Sequence, residues 1–273
     1  MGLNTTMGKH TDKNVSGRIC HAGNEENDRD DRTSLLTFNN AKARGEMYLF
    51  LSSCYLGPPG KDIVRQILDI DFLDDLSSLF SEKAVKYLIE YASTADQDKA
   101  AVSLKQEYMD LFAVQTGRYV MPFEDVCRGK TAGDGQARGP LMGESAIAVR
   151  RIYREAGTEI DQACKELSTH IGVELSFMSV LCEIEAEAIL AEEATVLLSQ
   201  EKRGGVESMK LKYRELQIRF LRDHLTDWFP LLCQSILANA KSNFYRGLAL
   251  ITEEFLLKDL SRILKQPDSE NHD

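Results

Sequence analysis

No apolar stretch of this chain approaches the ~20 residues needed to cross a bilayer, and residues 1–40 hold no hydrophobic run of the signal-peptide kind. A membrane-inserted or secreted protein is therefore not expected. The six cysteines (Cys20, Cys54, Cys127, Cys164, Cys182 and Cys233) are scattered, with no C-x-x-C pair. That excludes a disulfide framework and points to reduced thiols in the cytoplasm. Basic residues are in deficit, 33 against 43 acidic ones, for a net charge of −10. A nucleic-acid binder needs a basic stripe to meet phosphate, so that class is excluded as well. Strand-like alternation and short internal repeats are also missing.

What remains is helical periodicity. Residues 1–33 are polar and end in the acidic run 25–31; too little apolar surface is available there to offset ordering entropy, so a disordered tail is expected. Thr33 or Ser34 can cap a first helix that runs to Leu56 and stops at Gly57-Pro58-Pro59-Gly60. Further helices are expected over 61–70, 72–79, 82–93, 97–114, 143–156, 170–202, 206–224, 226–240 and 242–264, with Gly204-Gly205 as a break and a flexible tail over 266–273. The segment 115–143 carries Gly117, Gly129, Gly133, Gly135, Gly139 and Gly143 with Pro122 and Pro140, and reads as a long loop. The expected fold is all-α: a compact single-domain bundle over residues 34–265, with about ten helices.

Chemistry concentrates in residues 166–178. Ser168 and Thr169 precede a helix, His170 stands in its first turn, and Glu174 follows one turn later. At about 100° per residue, His170, Glu174, Phe177 and Leu181 share one stripe. Two ligands at this spacing do not complete a metal site. His10, His21 and His272 lie in the tails, and Glu166 is four residues from His170 rather than the three of a di-iron motif. No metal and no cofactor are expected. Gly129-Lys130-Thr131 ends like a phosphate loop, but Glu124 stands where that motif needs glycine. The stretch from Tyr119 to Val126 interleaves Pro122 and Phe123 with Glu124 and Asp125. It fits either an anchor tucked into the core or a greasy, acid-edged cleft for a basic amphipathic peptide. Three functions stay open on these residues: a peptide-binding module, a small metal-dependent hydrolase built on His170 and nearby carboxylates, and a helical adaptor with an unrelated partner.

An ordered set of motifs narrows the choice. Glu107-Tyr108-x-x-Leu111-Phe112 precedes the Pro122-Phe123 loop; Gly143-Glu144-Ser145 opens a helix containing Tyr153; Glu166-Leu-Ser-Thr-His170 leads into Gly172-Val-Glu-Leu-x-Phe-Met178. Phe220-Leu221-x-x-His224-Leu225-x-x-Trp228, Phe244-Tyr245-x-x-Leu248-Ala249, Phe255-Leu256 and Asp259 complete it. The series resembles the TorD/DmsD family of redox-enzyme maturation chaperones over residues 40–264. The resemblance implies an all-helical, non-catalytic cytoplasmic protein, monomeric or helix-swapped. Its partner would be the catalytic subunit of a molybdopterin oxidoreductase, with that subunit's twin-arginine leader. It assigns client binding to Leu111, Phe112, Pro122, Phe123, Asp125, Glu166 and His170. Glu124, Glu174, Tyr119 and the helix-capping Thr169 join them on chemical grounds. Thr169 replaces the family's usual Asp, so Glu166 or Glu174 would have to face the leader's arginines.

Overall fold

The computed structural model describes residues 25–115, 117–129, 139–160, 164–195 and 200–265, without the side chains of 25–39, 192–204 and 206. The described part is helical and contains no strand. Its helices are α1 (Glu25–Leu56), α2 (Lys61–Ile67), α3 (Ile70–Leu79), α4 (Glu82–Thr94), α5 (Gln97–Tyr108), α6 (Glu124–Gly129), α7 (Glu144–Glu155), α8 (Ile171–Thr195), α9 (Gln200–Phe220), α10 (Thr226–Asn239) and α11 (Asn243–Lys265). Two π-helical turns, Met109–Ala113 and Leu221–Leu225, extend α5 and join α9 to α10. No helix among the described residues is long and apolar enough to cross a membrane.

Three boundaries differ from the periodicity. Helix α1 starts at Glu25 rather than at Thr33 or Ser34. Carboxylates in a first helical turn are favoured by the helix dipole, an effect composition alone does not register; residues 1–24 lie outside the described residues. Gly204-Gly205 does not interrupt α9, because its flanks are strong helix formers and each glycine costs only about 1 kcal/mol. The segment 115–143 is not loop throughout, since α6 forms within it.

The long pair α1 and α8 forms the spine, with α9 against α8, and α11 against α4 and α10. Small residues bring α1 and α8 close. A Cβ on Gly172 would stand 2.5 Å from Leu56 Cγ, and Ser52 Oγ donates to the Gly172 carbonyl at 2.7 Å. One continuous core runs from Tyr48 and Leu51 through Trp228 and Phe244 to Ile263. Within it, Arg44 of α1 is a buried ionic fastener. Its Nε donates to Asp259 of α11 at 2.5 Å, its Nη1 to Glu185 of α8 at 2.8 Å, and its Nη2 to Gln217 of α9. Tyr48 donates to the same Asp259 at 2.6 Å. Burial alone would lower the Arg44 pKa, but Cys182, Asp259 and Glu185 outweigh it and the charge is held.

Candidate functional site

The site is built where the Tyr119–Phe123 segment meets the start of α8. Ile171 N–H donates to the Pro122 carbonyl at 2.9 Å and Glu124 N–H to the Thr169 carbonyl at 3.0 Å, closing an antiparallel bridge between Phe123 and His170. The Phe123 and His170 rings meet edge to face at 5.3 Å. His170 is not in the first turn: it precedes Ile171 and caps the helix itself, its Nδ1 accepting from Gly172 N–H at 3.0 Å. That bond leaves the ring proton on Nε2, and burial pushes the pKa down to about 4, so the ring is neutral. The expected Thr169 cap does not form: its Oγ1 is buried with no hydrogen-bond partner among the described residues. The ring nitrogen, rigidly placed by Phe123, has taken the role the hydroxyl would play.

One turn into α8, Glu174 is fully buried. Its Oε2 accepts from Trp228 Nε1 of α10 at 2.9 Å. Burial first, and then the neighbouring Glu124 carboxylate, push the Glu174 pKa well up. The group is therefore a neutral acid. Its Oε1 is buried with no hydrogen-bond partner among the described residues. Glu124 is the neighbouring carboxyl group. It is fully buried on α6, with Arg128 Nε at 2.8 Å and His224 Nδ1 at 2.9 Å from Oε1.

Local structure explains these positions. Glu124 and Arg128 are an i, i+4 pair on α6, the spacing that places two side chains on one helix face. His224 belongs to the π-helical turn Leu221–Leu225, whose wider spiral rotates the ring toward α6. Phe220 stacks on that ring at 5.1 Å and continues into Phe177 at 4.9 Å and Tyr153 at 4.4 Å beyond it. Asp125 points the other way. Its carboxylate accepts from Gly143, Ser145 and Ala146 N–H groups at 3.0, 2.9 and 3.1 Å, capping α7 from another element. A Cβ at Gly143 would lie 2.7 Å from Asp125 Oδ1, so glycine makes this approach possible. Replacing Asp125 with alanine should cost about 1–2 kcal/mol, as loss of a helix cap does, and asparagine less. Thermal melting followed by circular dichroism reads the difference, and an Ala variant as stable as wild type would reject the capping role.

Between α6, α7 and the second π-helical turn opens a groove of about 470 Å³. Glu124, Arg128 and His224 line its base, Glu144, Arg151 and Glu155 the α7 wall, and Arg219 and Asp223 the far wall. Glu155 is paired with Arg219 and Arg128 with Asp227. Beside the groove Leu141, Met142 and Ile147 are 45%, 58% and 67% exposed, an apolar lip at the start of α7.

The sequence-derived site residues thus divide. Phe123, Glu124, Thr169, His170 and Glu174 are brought together, but inside the protein. Leu111 and Phe112 are core residues, Phe112 packing on Tyr55, Tyr108 and Tyr245. Pro122 is buried, whereas Tyr119 and Glu166 are half-buried. Glu124 and Asp125 were expected as an acidic rim. Instead both are interior groups, because α6 turns them onto α7 and the π-helical turn. Arg128, Arg151, Arg219 and Asp223 escaped the sequence reading. The i, i+4 spacing of Glu124 and Arg128 was the available signal, hidden by reading 115–143 as loop. The hydrolase reading loses its support: His170 is buried and committed to its own helix, and no group of three or more His, Cys, Asp or Glu among the described residues is placed to hold a metal.

A sequence model described as nitrate reductase delta subunit matches residues 79–234. The chain is 21% identical over 221 residues to the chaperone protein TorD of Vibrio cholerae serotype O1, covering 79% of this chain and 90% of that one. It is 24% identical over 238 residues to the chaperone protein TorD of Photobacterium profundum, covering 84% and 97%. Similarity to the Shewanella piezotolerans chaperone protein TorD is 20% over 232 residues, covering 84% and 95%.

Proposed function

We propose that this chain, which belongs to the TorD family matched by the nitrate reductase delta subunit model, grips the twin-arginine leader of a molybdopterin oxidoreductase subunit and holds the apo form in the cytoplasm for cofactor insertion. It is a molybdoenzyme maturation chaperone and not an enzyme, in keeping with relatives named as chaperones. A redox enzyme is the partner the family implies. The observation that supports leader binding is the groove: carboxylates at Glu144, Glu155 and Asp223 stand beside the exposed Leu141, Met142 and Ile147. A leader carries arginines followed by an apolar segment. The carboxylates meet the first. The lip takes the second from water, at about 25 cal/mol per Å² buried.

Among the residues expected to meet the client, Tyr119 and Glu166 retain exposed surface for direct contact. Leu111, Phe112, Pro122, Phe123, Thr169 and His170 act from beneath, fixing the 119–123 segment. Exposed ion pairs contribute only ~0–1 kcal/mol each, which suits a protein that must release its client. Titration calorimetry with a synthetic leader tests this. Binding should weaken as salt rises, and Glu144→Gln, an exposed change that leaves the fold alone, should weaken it about 2–5-fold. A leader that does not bind, together with no molybdoenzyme subunit retained in a pull-down, would overturn the proposal.

A further inference from the structure

We propose that the seat now filled by the Arg128 guanidinium is where the chaperone receives an arginine of its client, and that Arg128 is an internal competitor for that seat. The identity of the client rests on the leader-binding reading; the chemistry of the seat does not. Three acceptors from different elements take three edges of one planar guanidinium. Arg128 Nε donates to Glu124 Oε1 at 2.8 Å, Nη1 to Asp227 Oδ2 at 2.5 Å, and Nη2 to the Asp223 carbonyl at 2.6 Å. The π-helical turn supplies the carbonyl, and α10 supplies Asp227 just beyond it.

The burial pattern separates this seat from an ordinary structural ion pair. Arg44 and Asp259 are 4% and 1% exposed in their side chains, so no outside group can replace either. Arg128 is 33% exposed and Asp227 58%, while Glu124 is fully buried. The anion is thus fixed in the protein, and its partly exposed guanidinium partner lines a groove of about 470 Å³ that is open to solvent. Exchange of one guanidinium for another never leaves Glu124 bare, so it avoids the cost of an uncompensated buried charge. An ammonium cannot reproduce the fork, because Lys is a compact point charge without the planar donor array. The seat therefore selects arginine over lysine. Return of Arg128 as the client's arginine leaves gives release without a bare-anion intermediate.

Arg128→Ala and Arg128→Lys test the idea with two probes, ethylguanidinium and ethylammonium at low millimolar concentration. Arg128→Ala should melt several degrees below wild type and recover at least half of the loss with ethylguanidinium but none with ethylammonium; wild type should respond to neither. A leader with an arginine pair should bind Arg128→Ala about 10-fold more tightly than wild type, and the gain should vanish when the pair is changed to lysine. If Arg128→Ala does not fold, Arg128→Lys, which keeps the charge, carries the same leader measurement and should also bind more tightly than wild type. A folded Arg128→Ala that ignores ethylguanidinium, or, where wild type binds the leader, either variant binding it no better, overturns the proposal. Rescue by ethylguanidinium with no leader binding by any form would support the guanidinium seat and sink the leader reading instead.

Discussion

Replacing Arg44 with methionine should lower the stability of the fold by about 3–5 kcal/mol, the usual cost of removing one partner from a buried ion pair. Arg44 is 4% exposed and ties α1 to α8, α9 and α11 through Glu185, Gln217 and Asp259. Methionine fills much of the volume but leaves the Asp259 carboxylate buried, with Tyr48 its remaining donor. At roughly 2–4 °C per kcal/mol for a domain of this size, the melting temperature should fall by about 10 °C. Adding Asp259→Asn and Glu185→Gln to the same variant should return most of the loss, since the stranded charges are then gone. Urea denaturation followed by circular dichroism gives both numbers. A single variant within about 0.5 kcal/mol of wild type, the range of ordinary surface changes, would show that the network is not a fastener.

The second large effect is in the pH dependence of stability, where His170 and Glu174 act in opposite directions. His170 is neutral in the fold, with its pKa pushed down to about 4 by burial. The unfolded chain binds a proton below about 6.5, so this term is fully present above that pH and is lost as pH falls toward 4. Glu174 has its pKa pushed well up by burial and by Glu124. The folded protein keeps a proton that the unfolded chain releases above about 4.3, so this contribution is lost as pH rises. Each term has a slope of up to about 1.4 kcal/mol per pH unit. Between pH 4.5 and 6.5 they oppose and largely cancel, about two units of hidden linkage.

Single variants should expose the two terms. Glu174→Gln keeps the acceptor for Trp228 and removes the titrating proton, and should gain stability over wild type steadily as pH rises above 4.5. His170→Gln should gain over wild type as pH falls below 6.5. Chemical denaturation at a series of pH values, plotted as the difference from wild type, isolates each slope. Flat differences for Glu174→Gln would mean that the carboxyl is ionised in the fold.

The helices were legible because their cause is local. Gly57-Pro58-Pro59-Gly60 stops α1 at Leu56 as expected, and the apolar spacing of Phe244, Leu248, Ile251 and Phe255 places α11. The family was legible too, and several of the motif residues that carried the resemblance fasten the fold. Glu107 accepts from Lys241 and Ser242 N–H groups before α11, Tyr153 donates to the Ser168 carbonyl, and Trp228 donates to Glu174.

Periodicity gives each helix a face but not its depth, and so could not separate an acidic rim from an acidic interior. Amino-acid order alone determined an all-helical chain of the TorD family, with its chemistry gathered around residues 119–125 and 166–174. Only tertiary packing decided that Glu124 and Glu174 are neighbours below the surface, that Asp125 caps α7, and that Arg128 rather than an outside partner sits across Glu124. Charge state and exposure depend on what stands within a few ångströms. For these groups the neighbours come from α7, α10 and a π-helical turn, as much as 100 residues away in sequence at His224 and Glu124.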